Sequence, residues 1–247
     1  MGTKGKCLYF EGAKGGVGTT FLVSQIALYL SELKNQKVLL LQIGSLGDIH
    51  LYLGYDTAFS ISTFLPYFEE ADSLTLSALS KITNKKNALF FMSGPDEIFE
   101  VDKIAKLPSL EIFAILKTYF DYIIIDGGTN FSPKIPNIID QADFFWTVIN
   151  NDLSSFKRFL DVFKNFEDQT KNKHAIISNL NKSNAKKILK EFKNHLNGQI
   201  EAIFEKDEES SFYALSTGKS IFSQKNSFLK DSISQFIEEK ILNNFLS

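Results

Sequence analysis

Apolar residues along this chain form short runs that alternate with longer stretches of helical spacing. The runs cover residues 7–10, 37–43, 88–92, 121–126, 143–149, 174–178 and 200–204. Segments 37–43 and 121–126 are almost continuously apolar, which is typical of strands buried on both faces of a sheet. The alternation of strands and helices predicts an α/β fold with a mostly parallel central sheet flanked by helices on both faces.

Apolar positions that recur every three or four residues predict the helices. These are expected over residues 19–34, 60–70, 109–120, 153–169, 183–197, 208–217 and 228–246. The last of them carries a broad apolar stripe, which is typical either of a helix that closes the core or of a membrane-binding amphipathic helix. Because Glu238 and Glu239 offset Lys230 and Lys240, anionic lipid would gain little, and direct membrane binding is not expected.

Length and composition favour one domain over residues 1–247. The chain has 247 residues, of which 44% are hydrophobic, and it contains no linker or low-complexity run. Its 27 basic and 29 acidic residues give a net charge of −2, which gives no global reason for a nucleic-acid partner. Without an apolar targeting segment or a run of about 18 apolar residues, the protein is expected to be cytoplasmic.

Segment 182–196 is locally basic and is the one part of the chain that suggests DNA. Its lysines are Lys182, Lys186, Lys187, Lys190 and Lys193. Such a helix either contacts DNA phosphates or presents a solvated face. Few aromatic residues lie among the lysines and Glu191 interrupts them, which favours the solvated face.

Residues 11–20 read Glu-Gly-Ala-Lys-Gly-Gly-Val-Gly-Thr-Thr and connect the first predicted strand to the first predicted helix. In the pattern G-x-x-x-x-G-K-[ST], backbone N–H groups surround phosphates and the hydroxyl holds Mg²⁺. Ala13, Gly18, Thr19 and Thr20 fall on its four fixed positions, so only the second glycine and the hydroxyl match. A plain tight turn is the alternative, but the strand–loop–helix context favours an anion site at a helix N-terminus.

Asp126 ends an apolar strand and is followed by Gly127 and Gly128. This is the arrangement of a carboxylate that holds Mg²⁺ together with the loop hydroxyl, here Thr20. An aspartate at the end of a strand also caps turns and helices. The neighbouring loop favours the metal role, so Thr20 and Asp126 are the candidate Mg²⁺ ligands.

The segment Lys14-Gly-Gly-Val-Gly-Thr-Thr20 resembles the deviant Walker motif K-G-G-x-G-K-[ST] of the MinD/ParA ATPases. The resemblance implies ATP and Mg²⁺ as cofactors and a face-to-face homodimer in which Lys14, the signature lysine, reaches the partner's nucleotide. It also implies adenine recognition by Asn179, whose amide offers a donor and an acceptor together, although a turn through Asn179 is an equal alternative. The implied nucleotide contacts are Lys14, Gly15, Gly16, Val17, Gly18, Thr19, Thr20 and Asn179.

Within that family the chain is most similar to the TadZ/CpaE pilus-assembly proteins, whose loop commonly carries threonine in place of the Walker lysine. The similar segments are 47–54, 92–95, 120–126 and 140–143. Members of this branch often have an additional receiver-like domain, and this chain begins directly at the ATPase fold. The resemblance implies a positioning or assembly factor with protein partners in a polar or envelope machine, recruited to a cell pole or to the inner face of the membrane.

Two departures from the family pattern predict weak or absent hydrolysis. Thr19 lacks the positive charge of the Walker lysine. The family's D-x-D segment, whose second aspartate is associated with activating water, is here Gln42-Ile-Gly44, and neither residue is a useful general base. Asp48, four residues later, is a substitute candidate on spacing alone.

Two further functions are compatible with such a fold. One is a scaffold that has lost nucleotide binding, and the other is a DNA-partition ATPase. A redox protein of the nitrogenase iron-protein type is not expected, because it needs cysteines to hold a cluster and Cys7 is the only cysteine of the chain.

Overall fold

The structure is a computed structural model that describes residues 5–44, 46–56, 59–70, 73–97, 99–100, 103–104, 110–129, 136–165, 173–180, 190 and 200–243. Its eight strands are β1 (Lys6–Gly12), β2 (Val38–Gln42), β3 (Asn84–Lys86), β4 (Leu89–Met92), β5 (Tyr122–Asp126), β6 (Phe144–Ile149), β7 (Lys173–Leu180) and β8 (Ile200–Glu205). They form one sheet in the order β3-β4-β2-β5-β1-β6-β7-β8, in which only the β3–β4 pair is antiparallel. The predicted α/β class with a mostly parallel sheet is confirmed.

Each of the seven predicted strands is present, and β3 is the strand that the apolar pattern did not predict. Its residues Asn84, Lys85 and Lys86 are polar and lie at the edge of the sheet. The turn into β4 passes through Asn87, whose φ of 56° is left-handed. A short polar edge strand carries no apolar run, so periodicity could not reveal it.

The described helices are α1 (Thr19–Leu28), α2 (Ile49–Tyr52), α3 (Pro66–Glu69), α4 (Leu76–Ile82), α5 (Leu110–Tyr119), α6 (Pro136–Ile139), α7 (Leu153–Asn165), α8 (Glu208–Thr217) and α9 (Phe228–Phe236). Short 3₁₀ turns cover Ile61–Phe64 and Ile221–Ser223, while π-helical turns at Tyr29–Leu33 and Ile237–Leu242 extend α1 and α9. The continuous helix predicted over 60–70 is wrong, because Pro66 lacks an N–H group and begins a new helix. The helix predicted over 183–197 lies outside the described residues except for Lys190.

The two faces of the sheet pack against different helices. Alternate residues of β1 divide between them: Leu8 and Phe10 join one buried cluster with α1 and α9, while Cys7 and Tyr9 join another with α5. This division follows from the period of two along a strand. Helices therefore cover both faces, and the carboxyl ends of the parallel strands remain at one edge.

The apolar stripe of the last helical segment is buried in the core. Its buried residues are Leu229, Ile233, Phe236, Ile237 and Ile241. The stripe therefore closes one face of the sheet, as favoured above. Among the residues described, no helix has both the length and the apolar character needed to cross a bilayer.

Candidate functional site

The loop between β1 and α1 has the backbone shape of an anion cradle. Gly16 and Gly18 have φ angles of 77° and 90°, a left-handed region that glycine enters without steric cost. A side chain added at Gly15 or Gly16 would meet no atom within 4 Å. No side chain caps α1 at Gly18, so the first N–H groups of the helix are available to an anion.

The loop is fixed by hydrogen bonds to the neighbouring strands. The N–H of Gly12 donates to the carbonyl of Gly128 at 2.7 Å, and the N–H of Ala13 donates to Val148 at 2.9 Å. The hydroxyl of Ser178 donates to the carbonyl of Val17. These contacts hold the loop in one backbone conformation, so little further ordering would be needed for binding.

Thr20 and Asp126 meet behind the loop. The Thr20 hydroxyl donates to Asp126 Oδ2 at 2.8 Å, and the N–H of Gly128 donates to Oδ1 at 3.0 Å. Asp126 is fully buried. Burial raises its pKa to about 6, although the hydrogen bonds from Thr20 and Gly128 lower the pKa. No Lys or Arg of the described segments forms an ion pair with it, so a hydroxyl and an uncompensated carboxylate fit a Mg²⁺ ion well.

Thr19 occupies the Walker-lysine position, and its hydroxyl is buried. Its side chain is 5% exposed, and Oγ1 makes no hydrogen bond with the residues that the structure describes. A buried polar atom of this kind is costly unless a ligand or water satisfies it. Thr19 also lines a cavity of about 390 Å³ beside the loop. A phosphate oxygen in this cavity would provide the missing partner.

The cavity is lined mainly by the loop, by the residues after β2 and β5, and by α8. Its lining residues are Lys14, Gly16, Val17, Gly18, Thr19, Thr20, Phe21, Asp48, Tyr52, Gly128, Thr129, Ser211 and Leu215. The structure therefore places most of the predicted loop residues, together with Asp48, around one space. Its charged lining groups are Lys14 and Asp48.

Lys14 is paired within its own chain. Its ammonium lies 2.7 Å from Asp152 Oδ2, and about a third of each side chain is exposed. Asp152 also accepts the N–H of Ser155 at 2.9 Å, at the start of α7. Burial opposes ionisation of Asp152, but the hydrogen bonds from Lys14 and Ser155 outweigh it and lower its pKa. The role of Lys14 in a second subunit stays a prediction.

Gln42 and Gly44 support the backbone around the end of β2, a role that their positions in the sequence did not predict. The side-chain oxygen Oε1 of Gln42 accepts hydrogen bonds from the backbone N–H groups of Asp48 at 3.1 Å, Ile49 at 3.2 Å and Gly94 at 3.2 Å. Its amide nitrogen donates to Asp48 Oδ1 at 2.9 Å. A Cβ at Gly44 would lie 1.6 Å from the carbonyl oxygen of Gly127, so this backbone leaves no room for a side chain. Neither position can therefore provide a general base in this conformation.

No protein-family model matches the chain, and no curated protein matches it. Solved structures do. A ParA family ATPase of Chlorobium tepidum TLS is 22% identical, over 95% of this chain and 99% of that one, with a TM-score of 0.80. The chain has the fold of the ParA/MinD ATPases.

Two further structures have the same ParA/MinD fold. The MinC:MinD cell division protein complex of Aquifex aeolicus contains a chain that is 19% identical, over 94% of both chains, with a TM-score of 0.74. The septum site-determining protein MinD of Pyrococcus horikoshii OT3, complexed with Mg-ADP, is 16% identical over 97% of this chain and 98% of that one, with a TM-score of 0.73.

The sequence pattern did not predict several of the residues that line this cavity. Tyr52, Ser211 and Leu215 lie far from the loop in sequence, and no local motif marks them. Asn179 lies in β7, which continues to Leu180, so a turn at this residue is not observed. Its side chain lies outside the described part of the chain, and adenine recognition stays a prediction.

Proposed function

We propose that this chain is an ATP-binding, dimerising positioning or assembly factor of the MinD/ParA type, with weak or absent hydrolysis. One observation supports it above the others. A preorganised glycine loop stands in front of the Thr20–Asp126 pair, whose oxygens are 2.8 Å apart. This arrangement combines an anion cradle with two oxygen ligands for the cation that accompanies the phosphates.

The proposed contacts come from the loop and from the ends of β5 and β7. The N–H groups of Gly15, Gly16, Val17 and Gly18 and of the first turn of α1 would hold phosphate oxygens. Thr20 and Asp126 would hold Mg²⁺, which when bound neutralises phosphate charge. Asn179 would read the adenine edge from the end of β7. The MinD of Pyrococcus horikoshii, which has the same fold, is complexed with Mg-ADP.

Weak hydrolysis follows from the groups around the cavity. Thr19 offers a neutral hydroxyl where a lysine would stabilise charge that develops on the phosphates. The amide of Gln42 is already used in hydrogen bonds, and Gly44 packs against Gly127. We therefore expect the site to hold a nucleotide and to hydrolyse it slowly or not at all, because neither Gln42 nor Gly44 offers a base for water.

A second copy of the chain is the proposed partner at the mouth of the cavity. Large apolar side chains are exposed on or beside its lining elements: Leu46, Leu51, Leu153, Phe212 and Leu215. Exposed apolar groups gathered around a polar site are typical of an interface. Lys14 lies at the same mouth, and exchange of Asp152 for a partner's phosphate would bring it into the second subunit.

The remaining parts of the proposal come from the resemblance to the TadZ/CpaE branch. We infer a single ATPase domain over residues 1–247 that acts in the cytoplasm and is brought to a cell pole or to the inner membrane face by protein partners. MinD, a structure of similar fold, forms a complex with MinC. DNA partition is not favoured, because the net charge of −2 offers no general attraction to phosphates.

Titration calorimetry with a non-hydrolysable ATP analogue and Mg²⁺ tests this function. The wild type should bind the analogue, and Thr20→Ala should remove the part of the affinity that depends on Mg²⁺. Thr20→Ser keeps the hydroxyl and should bind like the wild type. If the wild type does not bind, or if both Lys14→Ala and Thr20→Ala bind as tightly as the wild type, the scaffold without nucleotide replaces the proposal.

A further inference from the structure

Gln42 connects the end of β2 to the loop that carries Asp48. Its side chain is fully buried, and its carbonyl oxygen accepts three backbone N–H groups, two from the start of α2 and one from Gly94 after β4. A carbonyl with this many donors is rigidly placed. The amide nitrogen, which donates to Asp48 Oδ1, is therefore held in one orientation.

The same amide lies beside Asp126. Gln42 and Asp126 are register partners on the neighbouring strands β2 and β5. Side chains of register partners lie on the same face of a sheet, so the Asp126 carboxylate lies beside the Gln42 amide, which donates to Asp48 Oδ1 at 2.9 Å. The Gln42 amide therefore lies between the two carboxylates. A carboxylate in place of Gln42 would add a third negative charge and could donate no hydrogen bond.

Asp48 does not use its carboxylate as an ordinary helix cap. It stands at the N-cap position of α2, yet its side chain accepts no hydrogen bond from the helix. The carboxylate is instead held by Gln42, is exposed, and lines the cavity beside the loop. Since Gly44 has no room for a side chain, Asp48 is the acidic group that the segment after β2 presents to this cavity.

An independent feature indicates a ligand in the same space. Thr19 lines the cavity together with Asp48, and its hydroxyl is buried without a hydrogen-bond partner among the described residues. A phosphate held at the uncapped start of α1 would lie beside the carboxylates of Asp48 and Asp126, and a cation would offset their negative charge. Mg²⁺ commonly binds one or two carboxylates and phosphates while keeping several waters.

We propose that Gln42 is a positioning residue that holds Asp48 as a second carboxylate for the hydrated Mg²⁺ of the nucleotide, beside Asp126. The inference rests on the proposed function. It assigns the acidic role after β2 to Asp48 and gives Gln42 the task of fixing it. Asp48 would accept hydrogen bonds from water on the cation, while Thr20 and Asp126 lie behind the loop.

Manganese binding measured by electron paramagnetic resonance tests the inference. Mn²⁺ replaces Mg²⁺ and is titrated into the full chain loaded with a non-hydrolysable ATP analogue. Asp48→Asn should weaken Mn²⁺ binding roughly tenfold or more, the range found when groups around a metal's ligands are changed. Asp56→Asn, a nearby exposed aspartate that does not line the cavity, should leave Mn²⁺ binding unchanged.

A double mutant separates positioning from a general structural role. Gln42→Met should weaken Mn²⁺ binding in the wild-type background and have no further effect on it in the Asp48→Asn background. Equal losses in both backgrounds would show that Gln42 supports the fold and does not position Asp48. Unchanged Mn²⁺ affinity in Asp48→Asn, with the analogue still bound, would overturn this inference alone. Failure of the wild type to bind the analogue would overturn the proposed function as well.

Discussion

At the scale of single residues, few positive charges lie among the described residues that line the cavity. Lys14 is the cation among the residues that line the cavity, and it is paired with Asp152. Thr19 adds a neutral hydroxyl, while Asp48 and Asp126 add negative charge. Nucleotide binding must therefore depend strongly on backbone N–H groups and on a divalent cation. Removal of Mg²⁺ should weaken it sharply.

Thr19→Lys should tighten binding of the ATP analogue because it restores a charge beside the phosphates. A hydrogen bond to a charged group contributes about 1.5–3 kcal/mol, which corresponds to an affinity gain of roughly tenfold or more. Thr19→Met, which has an unbranched and uncharged side chain, is the matched control. Titration calorimetry measures the affinity of both variants for the ATP analogue. Equal affinities would show that a charge at position 19 does not affect binding.

At the scale of elements, the ends of β2 and β5 are in direct backbone contact. The N–H of Ile43 donates to the carbonyl of Asp126 at 2.9 Å, and Gly44 packs on the Gly127–Gly128 peptide. The N–H of Gly12 donates to Gly128 on the other side. The three segments that follow β1, β2 and β5 thus support one another, and glycine at position 44 is a steric requirement.

Gly44→Ala should lower the free energy of unfolding by about 1–3 kcal/mol, the usual cost of overpacking. Denaturant unfolding of the variant and the wild type measures the difference. Gly15→Ala is the control, since a Cβ there meets no atom within 4 Å. Equal stability of the two alanine variants would contradict the packing described for Gly44.

The helix α8, which forms one wall of the cavity, begins with a cap that depends on pH. Asp207 accepts the N–H of Ser210 at 3.0 Å, its hydroxyl at 2.8 Å, and the hydroxyl of Ser227 at 2.9 Å. Burial raises the pKa of Asp207, but these hydrogen bonds outweigh burial and the pKa is lowered. The pKa of Asp207 is therefore lower in the folded chain than in the unfolded chain. Its carboxylate stabilises the fold at pH values above the pKa of the unfolded chain, and this stabilisation is lost as the pH falls through the pKa of the folded chain.

Asp207→Asn keeps a capping side chain but removes its charge, and should therefore lower the unfolding free energy by about 1 kcal/mol at pH 7, the difference between hydrogen bonds to charged and to neutral groups. The deficit relative to wild type should shrink below about pH 4, the ordinary pKa of an aspartate. Urea titrations at both pH values measure this, with the exposed Asp161→Asn as control. A deficit of the same size at low pH would show that the charge of Asp207 is not responsible.

Local signals predicted some elements of the site and missed others. Thr20 and Asp126 follow from the loop spacing and from the apolar strand before Asp126, because each signal is contained in a few neighbouring residues. The function of Gln42 depends on contacts with Asp48, Gly94 and Asp126, which only the folded sheet brings together. For the same reason, α8 could be predicted as a helix but not as a wall of the cavity.

At the scale of the whole molecule, the sheet places polar chemistry and exposed apolar groups at the same edge. The core closes both faces, so this edge presents the cavity, the Lys14–Asp152 pair and apolar side chains such as Leu153 and Phe212. Binding of a nucleotide would change the charge at this edge and give Lys14 an alternative partner. Nucleotide occupancy and association of two copies should therefore be coupled.

Native mass spectrometry of the wild-type chain with a non-hydrolysable ATP analogue and Mg²⁺ tests this account most directly, because it reports occupancy and association together. We expect a complex of two chains with two nucleotides and two Mg²⁺ ions, and a chain without nucleotide when Mg²⁺ is withheld. If the spectrum at saturating analogue and Mg²⁺ still shows only the mass of the chain without nucleotide, nucleotide binding and the coupled association are both contradicted.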